Sequence, residues 1–161
     1  RTTVLGGSGF WADDYSNINA FPAAVNDHNV AYTSGDNFAT IFDHGGNKWG
    51  FAAGNNVDEV INMNWGNGTY GVRLGVAMTP EVKADATTTP VTVAADAETA
   101  INVGFGMPLA GMDFGFTYGM GCDECGGGNV GINLRRAQNV WLFENILVDF
   151  DMGMEGDDAA N

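Results

Sequence analysis

Ile101, Val103, Phe105 and Met107 take every second position of one short stretch, with Asn102, Gly104 and Gly106 between them. After a break at Pro108 to Gly111 the rhythm returns, with Met112, Phe114, Phe116, Tyr118 and Met120 set against Asp113, Gly115, Thr117 and Gly119. A period of two marks a β-strand, so the stretch predicts a hairpin. Its less apolar face is mostly glycine, whereas a half-buried strand usually turns charged or polar side chains to water.

The same alternation runs through most of the chain. Asn29 to Thr33, Phe38 to Asp43 and Lys48 to Ala53 are short strands separated by Ser34-Gly35-Asp36 and His44-Gly45-Gly46-Asn47. Val57 to Trp65 and Thr69 to Met78 predict the clearest hairpin, turned by Gly66-Asn67-Gly68, which supplies the positive φ values of a tight turn. On one face of it lie Ile61, Met63, Trp65, Tyr70, Val72 and Leu74; on the other lie Asn62, Asn64, Gly71, Arg73 and Gly75. Residues 79–98 are polar and marked by proline, and read as a long exposed loop with one short strand at Val91 to Ala94. Asn129 to Arg135 and Val140 to Met154 form the last pair, interrupted on its apolar face by Glu144.

About nine or ten antiparallel strands follow, with no amphipathic helix, and an up-and-down meander is their simplest topology. A meander that large curls, closes or pairs with another chain, because open edges invite association. The fold expected is therefore all-β, an antiparallel meander closing into a β-barrel. Residues 1–28 lack either period and are expected to form an irregular or briefly helical segment packed against the rest. Residues 29–154 make the meander and 155–161 an acidic tail.

Composition narrows what solvent this sheet meets. Charged residues are only 16% of the chain, against about a quarter in an average soluble protein. Glycine, at 24 of 161 residues, is about twice its usual share. This mix suits secreted β-proteins, outer-membrane barrels and fibre subunits. A net charge of −14 repels phosphate backbones, so nucleic acid is not an expected partner. No apolar run reaches the roughly 18–20 residues of a membrane helix, which leaves barrels of about 9–11 alternating residues per strand open.

Candidate chemistry is sparse. Cys122-Asp-Glu-Cys125 has no second pair for a zinc site and is followed by three glycines rather than a helix start. A small disulfide at a loop tip is the expectation in an exported protein, with free thiols the alternative. His28 and His44 have no nucleophile at recognisable spacing, and no hydrolase, zinc-protease, P-loop or dinucleotide motif is present. Neither catalysis nor a cofactor or metal is expected. The acidic clusters at Asp13-Asp14, Asp123-Glu124 and Asp149 to Asp158 do not match a calcium loop with glycine at its sixth position. Asn67-Gly68-Thr69 is a formal glycosylation sequon that the hairpin turn already explains. Arg73, on the glycine face, would point into a lumen and could pair with an acid such as Asp113.

These alternating strands, with Gly and Asn on one face, resemble bacterial outer-membrane β-barrels. Leu5-Gly-Gly, Asp13-Asp14-Tyr15, Asn17-Ile18 and Pro22-Ala23-Ala24 are similar to the mature start of long-chain fatty-acid transporter-like and related porin-like barrels. Those barrels are usually more than twice as long, and here Phe21 rather than Asn precedes Pro22. The resemblance implies an N-terminal plug inside a transmembrane barrel that passes or gates small, often apolar solutes.

The function expected is passive, porin-like passage or structural support in the bacterial outer membrane. Lipid, or further copies of the chain, would touch Ile61, Met63, Trp65, Tyr70, Val72, Leu74, Ile101, Val103, Phe105, Phe114, Phe116 and Tyr118. The alternative is an extracellular or cell-surface structural protein that assembles into a fibre or shell through strand edges and apolar faces.

Overall fold

Two-residue turns set the register of the sheet. In the computed structural model, Ser34 and Asn37 face each other across Gly35-Asp36, His44 and Asn47 across Gly45-Gly46, and Leu109 and Met112 across Ala110-Gly111. Gly35, Gly45, Gly46, Ala110 and Gly111 all have positive φ, the backbone twist that lets antiparallel strands leave a tight turn without splaying. The structure describes residues 15–54, 59–81, 97–120, 128–136 and 146–154.

Among the described residues nine strands form one antiparallel sheet in strict chain order. They are β1 (Val30–Ser34), β2 (Asn37–His44), β3 (Asn47–Ala53), β4 (Ile61–Gly66), β5 (Gly71–Thr79), β6 (Glu98–Leu109), β7 (Met112–Met120), β8 (Asn129–Arg136) and β9 (Ile146–Gly153). The expected meander is present. The expected closure is not, since β1 pairs only with β2 and β9 only with β8. Nine is an odd number, so β1 and β9 run in the same direction. Joining them would require a slanted parallel ladder, less stable per residue than the antiparallel pairs of the meander.

The sheet nevertheless wraps around one object. Two 3-10 turns, Tyr15–Asn19 and Pro22–Asp27, pack on each other, and the second lies against one face and touches strands from β3 to β7. Ile18, Phe21, Ala24 and Val25 of this segment form the buried cluster together with Ile41 of β2. Val30 of β1 and Leu147 of β9 also pack against this cluster. Glycines make room for this approach. A Cβ on Gly71 or Gly106 would run into the backbone of Pro22 and Ala23, and one on Gly115 into the Ala20 carbonyl.

Asn26 fastens the segment to the sheet. Its Nδ2 donates to the Ala23 carbonyl (3.0 Å) and the Tyr70 carbonyl (3.1 Å), and its Oδ1 accepts the Gly68 N–H (2.8 Å). The turn it grips spans residues 67–70 rather than 66–68. Asn67 Oδ1 closes that turn by accepting the Thr69 and Tyr70 N–H groups, at 3.1 and 2.8 Å.

The predicted strand at Val91 to Ala94, most of the 79–98 loop, Glu144, Cys122, Cys125, residues 1–14 and the 155–161 tail lie outside the described residues.

Candidate functional site: an apolar outer face and a polar inner one

The two faces of the sheet carry the reverse of a soluble protein's distribution. Along β4, Asn62, Asn64 and Gly66 are buried while Ile61, Met63 and Trp65 are half-buried or exposed. β5 repeats this with Gly71, Arg73 and Gly75 buried beside exposed Val72, and β8 with Asn133 and Arg135 buried beside exposed Ile132. Exposed apolar residues are ordinary singly, whereas buried polar ones and contiguous apolar patches carry information.

Here the apolar residues are contiguous. Directly opposed residues share a face, so the register reads out rows across the sheet. One row runs Phe51, Met63, Leu74, Val103, Tyr118, Val130, Met152. The next runs Phe42, Trp49, Trp65, Val72, Phe105, Phe116, Ile132, Phe150. A third joins Ile61, Val76, Ile101 and Met120, and a fourth Met107, Phe114, Leu134 and Val148. Eleven of the twelve residues expected to face lipid or a partner therefore fall in these rows. Tyr70, just before β5, joins them by stacking on Phe105 with ring centroids 6.0 Å apart. Phe150 and Met78 are more than half exposed.

The covered face holds two arginine–carboxylate pairs. Arg73 points inward and is buried, but its partner is Glu59, not Asp113. The Glu59 carboxylate also accepts Asn62 Nδ2 (2.6 Å) and Asn102 Nδ2 (3.4 Å), and Asn62 Oδ1 in turn accepts Asn64 Nδ2 (3.1 Å). Asp113 instead receives Arg135 Nε and Nη2 at 2.9 and 2.7 Å. The expected Arg73–Asp113 pairing fails on register: Asp113 lies directly across from Arg135, whereas Arg73 faces Asn64 and Gly104. Arg135, only 3% exposed, also lies over the Phe21 ring at 4.4 Å and so ties the sheet to the N-terminal segment. Alternation from Val57 to Trp65 puts Glu59 in step with Ile61 on the apolar face, but β4 begins only at Ile61, and Glu59 joins Asn62, Arg73 and Asn102 on the covered face instead. Asn62, Asn64 and Asn102 did leave a signal, since Asn is depleted in strands yet recurs here on one face.

Beside this network the covered face opens into a cavity of about 440 Å³, bounded by Ile18 and Asn19 of the N-terminal segment and by β1 to β6. Cys122 and Cys125 lie outside the described residues, as do Asp13, Asp14, Asp123 and Glu124. Among the described residues no group of three potential metal ligands comes together, and no helix is long and apolar enough to cross a membrane. No family model, no curated protein and no solved structure matches the chain.

Proposed function

We propose that this chain forms wall of a porin-like bacterial outer-membrane β-barrel, with its apolar face against lipid and residues 15–27 held inside as a plug. The observation that carries this reading is the inversion: unbroken apolar rows outward, ion pairs and amides inward. In hydrocarbon the outward rows cost nothing to expose, and lumen-facing positions tolerate polar side chains. β5, β6 and β7, at 9, 12 and 9 residues, have the length that a tilted strand needs to cross, about 9–11 residues. Trp65, Tyr70 and Tyr118 would anchor at the headgroup levels, where amphipathic rings are favoured. Closure on this reading comes from further strands added at β1 and β9, and the role is non-enzymatic: passage of small solutes past the plug, or mechanical support of the envelope.

A second reading has its own observation, the two unpaired edges. β1, at 5 residues, is short for a bilayer, and edge strands that are neither closed nor covered are templates for pairing with another copy. An extracellular fibre or shell would use those edges and cover the apolar rows between subunits.

Purification decides between them. The membrane reading expects folding only in detergent or lipid, and faster gel migration unheated than boiled. Folded, monodisperse protein in plain buffer overturns it, and regular filaments in buffer select the assembly reading.

A further inference from the structure

The network around Glu59 ends in two loose atoms. Both carboxylate oxygens are occupied, Oε1 by Arg73 and Asn102 and Oε2 by Asn62. Asn64 donates to Asn62, which leaves Asn64 Oδ1 as a buried acceptor without a hydrogen-bond partner among the described residues. At the other end Arg73 Nε is a buried donor in the same condition. Asn64 is 7% exposed and Arg73 9%, and the two atoms themselves are covered, so a partner reaches them only with a small shift of these side chains. The two residues oppose each other across β4 and β5, which sends their side chains off the sheet side by side into the 440 Å³ cavity that both line. Unsatisfied buried polar atoms in a folded protein call for an explanation.

We propose that this cavity binds a small neutral polyhydroxylated molecule, a single sugar ring or a small disaccharide, with one ligand hydroxyl bridging Arg73 Nε–H and Asn64 Oδ1. A hydroxyl is donor and acceptor at once, which the loose pair requires and an apolar solute cannot supply. The Glu59–Arg73 pair is neutral as a unit, a net charge of −14 disfavours an anion, and an ammonium has no lone pair to accept Arg73 Nε–H, so a neutral hydroxyl is selected. The remaining wall is mixed in the way a sugar is mixed: Asn102 offers amide edges, while Ile18, Val30 and Tyr32 meet the C–H faces. The volume lies within the roughly 300–1,000 Å³ of small-molecule pockets. The site stands whichever solvent meets the outer face, so its failure and the failure of the membrane reading are separate results.

Glucose, maltose and glycerol, with laurate and gluconate as apolar and anionic controls, are titrated calorimetrically into the folded protein. The medium is buffer, or an amine-oxide detergent that brings no sugar headgroup. Binding of a neutral sugar over both controls is expected. Asn64→Leu, which keeps bulk but cannot accept, is expected to weaken it tenfold or more, and Tyr32→Ala, at an exposed wall position, severalfold. Should Asn64→Leu fail to fold, Tyr32→Ala and the ligand preference still decide. No sugar binding by folded wild-type protein at millimolar concentration, preference for laurate or gluconate, or unchanged affinity in both variants overturns the proposal.

Discussion

Gly115 shows how one missing side chain positions a segment far away in sequence, at Ala20. A Cβ there would meet the Ala20 carbonyl, which cannot move aside as the end of a flexible side chain could. Gly115→Val is expected to lower stability by about 1–3 kcal/mol, as overpacking commonly does. Gly153, with open space around it, serves as control: Gly153→Ala should stay within about 0.5 kcal/mol in the same thermal melts. Arg135 meets the same segment from the neighbouring strand, two positions past the residue opposite Gly115. Arg135→Lys keeps the charge but loses the flat guanidinium over Phe21 and its two-nitrogen grip on Asp113. It should cost about 1–2 kcal/mol, a desolvated cation–π contact being worth roughly that. A variant as stable as wild type would show that Arg135 does not fasten the segment. At this scale sequence is legible wherever a period exists. The apolar rows follow from counting by twos, but counting also puts Glu59 on the wrong face because β4 starts only at Ile61, and the partners of Arg73 and Asp113 depend on cross-strand register.

Among the elements, the turns are the most open to testing. Ala110 holds φ 52°, a conformation that L-residues other than Asn and Asp seldom adopt. Ala110→Asn is expected to raise stability by up to about 1 kcal/mol, read from denaturant midpoints, because Asn is favoured at that turn position. An unchanged or lower midpoint would mean the strain is relieved elsewhere. Most strand limits are readable, since Gly-rich pairs punctuate the alternating runs, but β4 begins at Ile61, later than alternation from Val57 predicts. β6 begins at Glu98, earlier than its alternation suggests, because pairing with Met78 and Thr79 of β5 extends it through residues with no apolar rhythm. The 67–70 turn was placed slightly early because Gly66 continues the ladder opposite Gly71 and leaves Asn67 to close the turn.

The whole molecule depends on what the outer face meets. Phe116 sits mid-row, opposed by Phe105 and Ile132, and Phe116→Lys puts a charge in the middle of the apolar wall. Against lipid, folding into vesicles should be penalised by about 2–4 kcal/mol, the depth-dependent cost of Lys near the bilayer midplane. Undiminished folding into vesicles would count against lipid contact there. Closure was the one feature of the architecture that alternation could not reveal. Pairing between a first and a last strand is set by strand number and curvature, and neither is written in any local stretch.

Strict up-and-down order also sorts the connections by rim. The tight turns at 45–46, 67–70 and 110–111 fall on one rim. The connection across 80–97, by far the longest, falls on the other with the 35–36 turn. In a membrane this amounts to an address label. Single cysteines placed at Gly46 and Asn67, in a background with Cys122 and Cys125 replaced by serine, should react with an impermeant maleimide from the same side. A cysteine at Asp36 should react only from the opposite side.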